Sequence, residues 1–213
     1  VLAGYGALSA LVAAPDAAGA GPLTFEGNLA GYIDRQFLPG KLIYGSFDPE
    51  GLLSTVPAVV TAMLGMFTGE FVRRGDIRGG RKTLWMAAAA AALLAAGLAL
   101  SGVLPVNKKL WSSTFVCVVG AYSLGMFALF YYLIDVRGWR RWTLFFRVVG
   151  LNSITIYLAQ RIVGFGRISD FFLGGIASKC PEAVAAVISS AGYVAVCWLF
   201  LYFLYRKNVF LKV

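Results

Sequence analysis

Long apolar runs separated by short polar segments make up most of this chain. Five runs are long enough to cross about 30 Å of hydrocarbon, which takes roughly 20 helical residues. They cover residues 52–72, 83–104, 111–134, 143–165 and 184–204. Because nothing in lipid can satisfy an exposed backbone, each of these runs predicts a transmembrane helix.

A further apolar run, residues 1–14, is shorter than a membrane crossing and predicts only part of a helix. We therefore expect the chain to be the C-terminal portion of a longer protein, with missing N-terminal helices as its partners. The predicted fold is all-α: a polytopic membrane helix bundle in a single transmembrane domain. It has one partial and five full transmembrane helices.

Composition supports a membrane protein and excludes several kinds of site. Hydrophobic residues make up 59% of the chain and the mean hydropathy is +0.75, well above a soluble domain. The chain has no histidine, and its three cysteines show no metal-binding spacing. We therefore predict neither a metal site nor a disulfide framework.

Charge in the loops predicts the orientation, because Lys and Arg concentrate on the cytoplasmic side of a membrane. Basic residues are dense in the loops 73–82 and 135–141 and in the tail, which carries Arg206, Lys207 and Lys212. The segment 15–51 holds five acids and only two basic residues. We therefore expect a cytoplasmic C-terminus and a periplasmic or lumenal segment 15–51, in a bacterial inner membrane. This topology also explains the net charge of +9 without a nucleic-acid partner.

The fourth run, "FFRVVGLNSITIYLAQR", is the most polar of the five. Asn152 lies midway along it, and Ser153, Tyr157 and Gln160 have the spacing of one helical face. Polar groups at this depth indicate a functional site facing a wet cavity. The alternative is hydrogen bonding between helices that only holds a bundle together. The sequence leaves both interpretations open.

Basic residues on the predicted cytoplasmic face would hold a polyphosphate ligand, since guanidinium groups pair with phosphate in a bidentate way. Cytoplasmic topology alone accounts for the same residues. The candidates are Arg73, Arg74, Arg137, Arg140, Arg141 and Arg147.

The opposite face carries the remaining candidate residues. Residues 27–40 predict a short amphipathic helix capped by Asn28, with Asp34 and Arg35 at the membrane surface. Further on, "FDPEGLLST" predicts Asp48 as the N-cap of the first full span, with Pro49 and Glu50 in its first turn. Capping alone explains these two acids, and contact with a cationic ligand is the alternative.

Four blocks of sequence resemble the transmembrane acyltransferase family that includes heparan-alpha-glucosaminide N-acetyltransferase. The first runs from "GYIDRQFLPG" to "FTGEFV", and the others are "LPVNKKLWSSTFV", "GLNSITIYLAQ" and "YRKNVFLKV", in the family's order. Bacterial members of this family are often labelled N-acetylglucosamine-related transporters. The resemblance covers nearly all of residues 24–213.

The resemblance implies a multi-pass enzyme that takes acetyl from cytosolic acetyl-CoA and delivers it to an amino sugar across the membrane. It implies that the six arginines hold the CoA, and from motif position and polarity we expect Asn152 and Ser153 to act in catalysis. The residues implied to contact the amino-sugar or glycan acceptor are Asp34, Arg35, Asp48, Glu50 and Asn107. The family's catalytic histidine lies in its N-terminal portion, and this chain contains no histidine.

Two other functions fit the same residues. An amino-sugar transporter would use the polar interior as a path, although such transporters often show inverted repeats and interrupted helices. A non-catalytic structural subunit of a larger membrane complex would need no catalytic histidine. A homodimer or a larger membrane complex is the expected assembly. The sequence therefore predicts an acyltransferase with transport and a structural role as alternatives.

Overall fold

The computed structural model describes residues 1–211, which form nine α-helices and one π-helical turn with no strands. The chain divides into two compact units. Unit 1 is Val1–Gly138, and unit 2 runs from Trp139 onward.

Unit 1 contains five α-helices and the π-helical turn. The helices are α1 (Leu2–Leu11), α2 (Leu29–Phe37), α3 (Thr55–Arg73), α4 (Gly79–Leu100) and α5 (Ser113–Tyr131), and the turn Tyr132–Val136 continues α5. The alanine- and leucine-rich sequence of α4 favours a helix strongly. Helix α4 packs antiparallel to α5. Gly97 therefore lies against Thr114 and Val118, and Gly79, at the other end of α4, lies against Val136.

Unit 2 contains four helices. They are α6 (Thr143–Leu151), α7 (Ser153–Ile162), α8 (Phe165–Ala177) and α9 (Glu182–Arg206). Helices α8 and α9 form a hairpin whose closest approach is at Gly192, beside Ser169 and Leu173.

Four of the five predicted spans are confirmed as helices long and apolar enough to cross a membrane. They are Thr55–Arg73, Gly79–Leu100, Ser113–Val136 and Glu182–Arg206. Their ends differ from the predicted ones by up to four residues. The partial helix predicted in residues 1–14 is α1, with ten residues. Of the predicted basic tail, Lys212 lies outside the described residues.

The prediction of one continuous span over 143–165 is wrong. The helix breaks at Asn152, whose φ of −128° and ψ of 28° leave the α-helical region, so two short helices replace one. The sequence "GLNS" around the break is rich in residues with low helix propensity, because Gly is flexible and Asn and Ser compete for backbone hydrogen bonds.

The segment between the fourth and fifth predicted spans, residues 166–183, is not just a polar connection, because α8 occupies most of it. Phe165, Ser169, Leu173 and Ala177 recur every fourth residue and form the face that packs on α9. This spacing is a helical signal that the polar residues between them concealed.

The two ends of unit 1 differ in chemistry. We call residues 12–54 and 101–112 the loop end, and residues 73–79 with 132–138 the basic end. At the basic end the Lys82 side chain is 6% exposed, and its ammonium donates to the carbonyl oxygens of Val72 and Arg74. Lys82 therefore satisfies the C-terminal carbonyl groups of α3.

Candidate functional site

The predicted helix over 27–40 is confirmed as α2, and its cap is Asn28, whose Oδ1 accepts the Gly31 N–H at 2.6 Å. Asp34 on this helix has no exposed surface. Its Oδ1 accepts the Leu52 N–H at 2.9 Å, and its Oδ2 accepts the Asp48 N–H at 3.4 Å. Burial raises the pKa of the Asp34 carboxyl above its ordinary value, although these two N–H groups act in the opposite direction. Asp34 therefore ties α2 to the segment before α3.

Arg35, the neighbour of Asp34, connects three parts of the loop end. Its guanidinium forms a bidentate ion pair with Asp16, at 2.9 Å and 2.7 Å, and lowers the pKa of the Asp16 carboxyl. It also donates to the carbonyl oxygens of Ser46 and, at 3.4 Å, Glu26. Arg35 thus orders the surface segments around it.

The prediction that Asp48 caps the first full span is wrong, since α3 begins at Thr55. The Asp48 Oδ1 instead accepts the Glu50 N–H at 2.9 Å, and its Oδ2 accepts the Ile43 N–H at 3.3 Å. This is a local turn that competes with helix formation, as Asp side chains commonly do. Glu50 is exposed beside it.

Asn107 lies in the turn between α4 and α5, where its Oδ1 accepts the Lys109 N–H at 2.9 Å. The Lys109 ammonium lies 4.5 Å from the Tyr44 ring centroid and 5.2 Å from that of Phe25. Both rings stack on Phe47, each with its centroid 5.1 Å away. The structure thus brings four predicted acceptor residues, Asp34, Arg35, Asp48 and Glu50, into one end of unit 1 and connects the Asn107 turn to them.

A cleft of about 390 Å³ lies between α3, α4 and α5, midway between the two ends of unit 1. Glycine residues make room for it, and Gly65 on α3 has no atom within 4 Å of the place where a Cβ would stand. Hydroxyl groups line part of the cleft through Thr61, Thr68 and Ser123. The cleft therefore offers a partly polar space inside the apolar part of the bundle.

Three of the six predicted phosphate-binding arginines lie at the basic end of unit 1. Arg73 is exposed at the end of α3, and Arg74 pairs with Asp76 at 3.1 Å. The Arg137 guanidinium carbon lies 5.6 Å from the centroid of the Tyr132 ring. The N-terminus of α4 adjoins the π-helical turn at Gly79 and Val136, so Arg137 lies near the α3–α4 loop.

The other three arginines belong to unit 2. Arg140 and Arg141 precede α6, and the Arg140 carbonyl oxygen accepts from the Thr143 hydroxyl at 2.7 Å. Arg147 lies on α6, with its guanidinium carbon 5.7 Å from the Tyr205 ring centroid. The stacked aromatic rings of α6 and α9 surround this contact.

Asn152 is 1% exposed and forms the N-cap of α7 without a side-chain capping bond. Its Oδ1 accepts from the Thr155 hydroxyl at 3.3 Å, whereas its Nδ2 has no hydrogen-bond partner among the described residues. Ser153 is exposed on the first turn of α7. The two predicted catalytic residues therefore sit together at a helix break.

The sequence reasoning missed several residues of these ends. It did not find Asp16 as the partner of Arg35, the Phe25–Phe47–Tyr44 stack, or the cleft. No local pattern marks the Asp16–Arg35 pair or the Phe25–Phe47 contact, because each joins segments distant in sequence. Tyr44 and Phe47 are only three residues apart, but they lie outside any helix or strand, so no periodicity marks them. The sequence indicates only weakly that residue 51 is constrained, because it is a glycine three positions after the predicted cap Asp48.

Four long apolar helices define this chain as a membrane helix-bundle protein. No family model matches it. The chain is 28% identical to human heparan-alpha-glucosaminide N-acetyltransferase over 205 aligned residues, which cover 88% of this chain. It is 27% identical to the mouse protein of the same name, again over 88% of the chain. The predicted resemblance to this acyltransferase family is therefore confirmed.

The aligned region is a minor part of these relatives. The chain spans about 30% of the length of the human and mouse proteins.

Proposed function

We propose that this chain is part of an integral membrane acyltransferase that moves acetyl from cytosolic acetyl-CoA to an amino sugar across the membrane. Relatives named for N-acetyl transfer to a glucosaminide support the chemistry. The basic loops support a cytoplasmic C-terminus. A bacterial inner membrane is the proposed location, and the helices of a longer protein are the proposed partners.

The observation that carries this proposal is the arrangement of unit 1. Helix α3, with 19 residues, separates its two polar ends by about 28 Å, close to the hydrocarbon thickness of a bilayer. The cleft between α3 and α5 lies between these ends. A donor bound at one end and an acceptor at the other would meet along such a path.

The basic end suits the phosphates of CoA. Arg73 and Arg137 offer guanidinium groups there, and the first N–H groups of α4 face the same region without a side-chain cap. The cleft suits the pantetheine arm, which is flexible, largely uncharged and able to bond to hydroxyl groups. Contact of Arg140, Arg141 and Arg147, which lie in unit 2, with the CoA phosphates stays a prediction from the sequence.

The loop end suits the amino sugar. Asp48 and Glu50 supply carboxylates for a sugar ammonium, and the Asn107 turn adds polar groups. Asp34 and Arg35 do not contact the sugar directly in this proposal, because the side chain of each already forms hydrogen bonds that hold the loop. We propose that they position Asp48 and the surrounding segment.

Replacing Gly65 with leucine tests the cleft. The new side chain fills space that the pantetheine arm would occupy, and no atom lies within 4 Å of its Cβ, so folding should be unaffected. Binding of radiolabelled acetyl-CoA to the protein in nanodiscs should weaken about tenfold, the factor that about 1.4 kcal/mol of lost contact represents.

Ala62→Leu is the matched control, since Ala62 is an exposed residue of the same helix outside the cleft. It should bind acetyl-CoA as the unaltered protein does. Equal binding by the Gly65 and Ala62 variants would contradict the cleft as the donor path.

An amino-sugar transporter is the second candidate, and the interruption between α6 and α7 favours it. Discontinuous helices with polar residues at the break commonly form substrate sites in transporters. Uptake of unmodified glucosamine into vesicles without acetyl-CoA would support this candidate against the acyltransferase.

A further inference from the structure

The start of α7 presents the first N–H groups of a helix, those of Ser153, Ile154 and Thr155. The first N–H groups of a helix have no acceptor within it, and the side chain of the N-cap residue Asn152 accepts from none of them. The helix dipole adds partial positive charge at the same place. α7 has ten residues, long enough for this effect.

Asn152 adds an independent observation. Its side chain is 1% exposed, yet its Nδ2 lacks a partner among the described residues. Because its Oδ1 accepts from the Thr155 hydroxyl, the amide head lies over the first turn of α7. The unpaired Nδ2 therefore lies at the N-terminus of α7.

Asn28 shows what a structural asparagine looks like in this protein. It is also buried and also caps a helix, but its Oδ1 accepts the Gly31 N–H. Its Nδ2 donates to the carbonyl oxygens of Phe25, at 2.7 Å, and Thr24, at 3.2 Å. A buried amide that only stabilises a fold has its hydrogen bonds satisfied in this way. Asn152 does not, which indicates that its partner is a ligand.

The chemistry of the ligand follows from the absence of charge. Among residues 1–211, none with a charged side chain hydrogen-bonds to Asn152, and Arg147 lies instead over the Tyr205 ring. A buried site with neutral donors alone suits a neutral carbonyl oxygen that gains charge only in a transition state. A phosphate would carry full charge into this buried position at high cost.

We propose that the break between α6 and α7 binds the carbonyl oxygen of a thioester acyl group through Asn152 Nδ2 and the first N–H groups of α7. This inference rests on the proposed acyl transfer. As the amine nitrogen attacks the carbonyl carbon, the carbonyl π electrons move to the oxygen, which these donors stabilise. When the C=O bond re-forms, the C–S bond breaks, and the proton lost by the nitrogen reaches the CoA sulfur. The products are an amide and free CoA.

The test is isotope-edited infrared spectroscopy of acetyl-CoA, labelled with ¹³C at the carbonyl, bound to the protein in nanodiscs. Donors at the break should shift the bound carbonyl band to lower wavenumber than in solution. In Asn152→Leu, and in the isosteric Asn152→Asp, the band should move back toward its solution position. Transfer to glucosamine should fall about 100-fold or more, as on removal of one oxyanion donor.

Gln160→Leu is the matched control, because it removes an exposed amide from the same helix about 12 Å from Asn152. It should leave the band unchanged. The apparent Tm of Asn152→Leu should change little, because among residues 1–211 no hydrogen bond to Nδ2 is lost and the only side-chain bond removed is the 3.3 Å bond from the Thr155 hydroxyl to Oδ1.

Two results would overturn the inference in distinguishable ways. A shifted band that persists in both Asn152 variants would disprove the role of Asn152 while acyl transfer stands. Failure of the unaltered protein to bind acetyl-CoA at all would remove both the inference and the proposed function.

Discussion

Gly51→Ala is expected to lower the free energy of unfolding of unit 1 by about 3 kcal/mol, at the upper end of overpacking effects. A Cβ at residue 51 would overlap both carboxylate oxygens of Asp34. Asp34 is fully buried and holds the N–H groups of Leu52 and Asp48, so it cannot move aside without breaking these bonds. The apparent Tm in detergent should fall by about 5–10 °C.

The control for this change is Gly21→Ala in the same loop end. A Cβ there meets only the Thr24 methyl group, at 3.8 Å, which is an ordinary contact. In an Asp34→Ala background, Gly51→Ala should add almost no further loss, because the clashing carboxylate is gone. Strict additivity of the two changes would contradict the contact between Gly51 and Asp34.

Gly192→Leu is expected to produce a loss of similar size in unit 2. A Cβ at this position would overlap Ser169 Oγ and Leu173 Cδ1, and a leucine side chain would extend further into α8. Close approach of membrane helices depends on small residues at such contacts. The hairpin of α8 and α9 should open, with a loss of about 3 kcal/mol, again at the upper end of overpacking effects.

Gly175→Leu is the comparison, since Gly175 lies on α8 with no atom within 4 Å of a Cβ position. It should be neutral or slightly stabilising, because leucine favours a helix more than glycine does. Thermal unfolding of both variants in the same detergent measures the difference. Equal Tm values for the two variants would show that α8 and α9 do not approach at Gly192.

Four of the five spans could be predicted from the sequence, because the length and hydropathy of an apolar run are enough to predict a membrane-spanning helix. Charge and capping patterns located α2 and its cap at Asn28 as well. These elements depend on neighbours within a few residues, which a sequence displays directly.

Where a prediction from the sequence was wrong, the cause was a contact between segments distant in sequence or a local hydrogen bond that competed with the predicted one. Asp48 has the chemistry of an N-cap, but it bonds the Ile43 N–H and Glu50 N–H in a turn, and α3 starts seven residues later at Thr55. Asn152 stood out as a costly polar group in an apolar run, yet hydropathy gave no sign that the helix breaks there. The burial of Asp34 depends on Gly51, 17 positions away, which no local pattern reveals.

The sequence named the residues of the candidate site, and the structure adds where they lie and what they contact. Asp48 and Glu50 do lie in one end of unit 1, and Asn152 and Ser153 do share a helix break. Asp34 and Arg35 lie in the expected region but support the loop from within. Polar residue types indicated candidate positions, and the structure shows which of these side chains already have hydrogen-bond partners. Their functional roles stay predictions.

The most direct measurement uses sealed vesicles that carry the complete membrane protein with its cytoplasmic face outward and glucosamine trapped inside. Deuterated acetyl-CoA is added outside, and the vesicle contents are analysed by mass spectrometry. We predict deuterated N-acetylglucosamine inside the vesicles, with free CoA released outside. Glucosamine that remains unacetylated while acetyl-CoA stays intact would contradict this prediction.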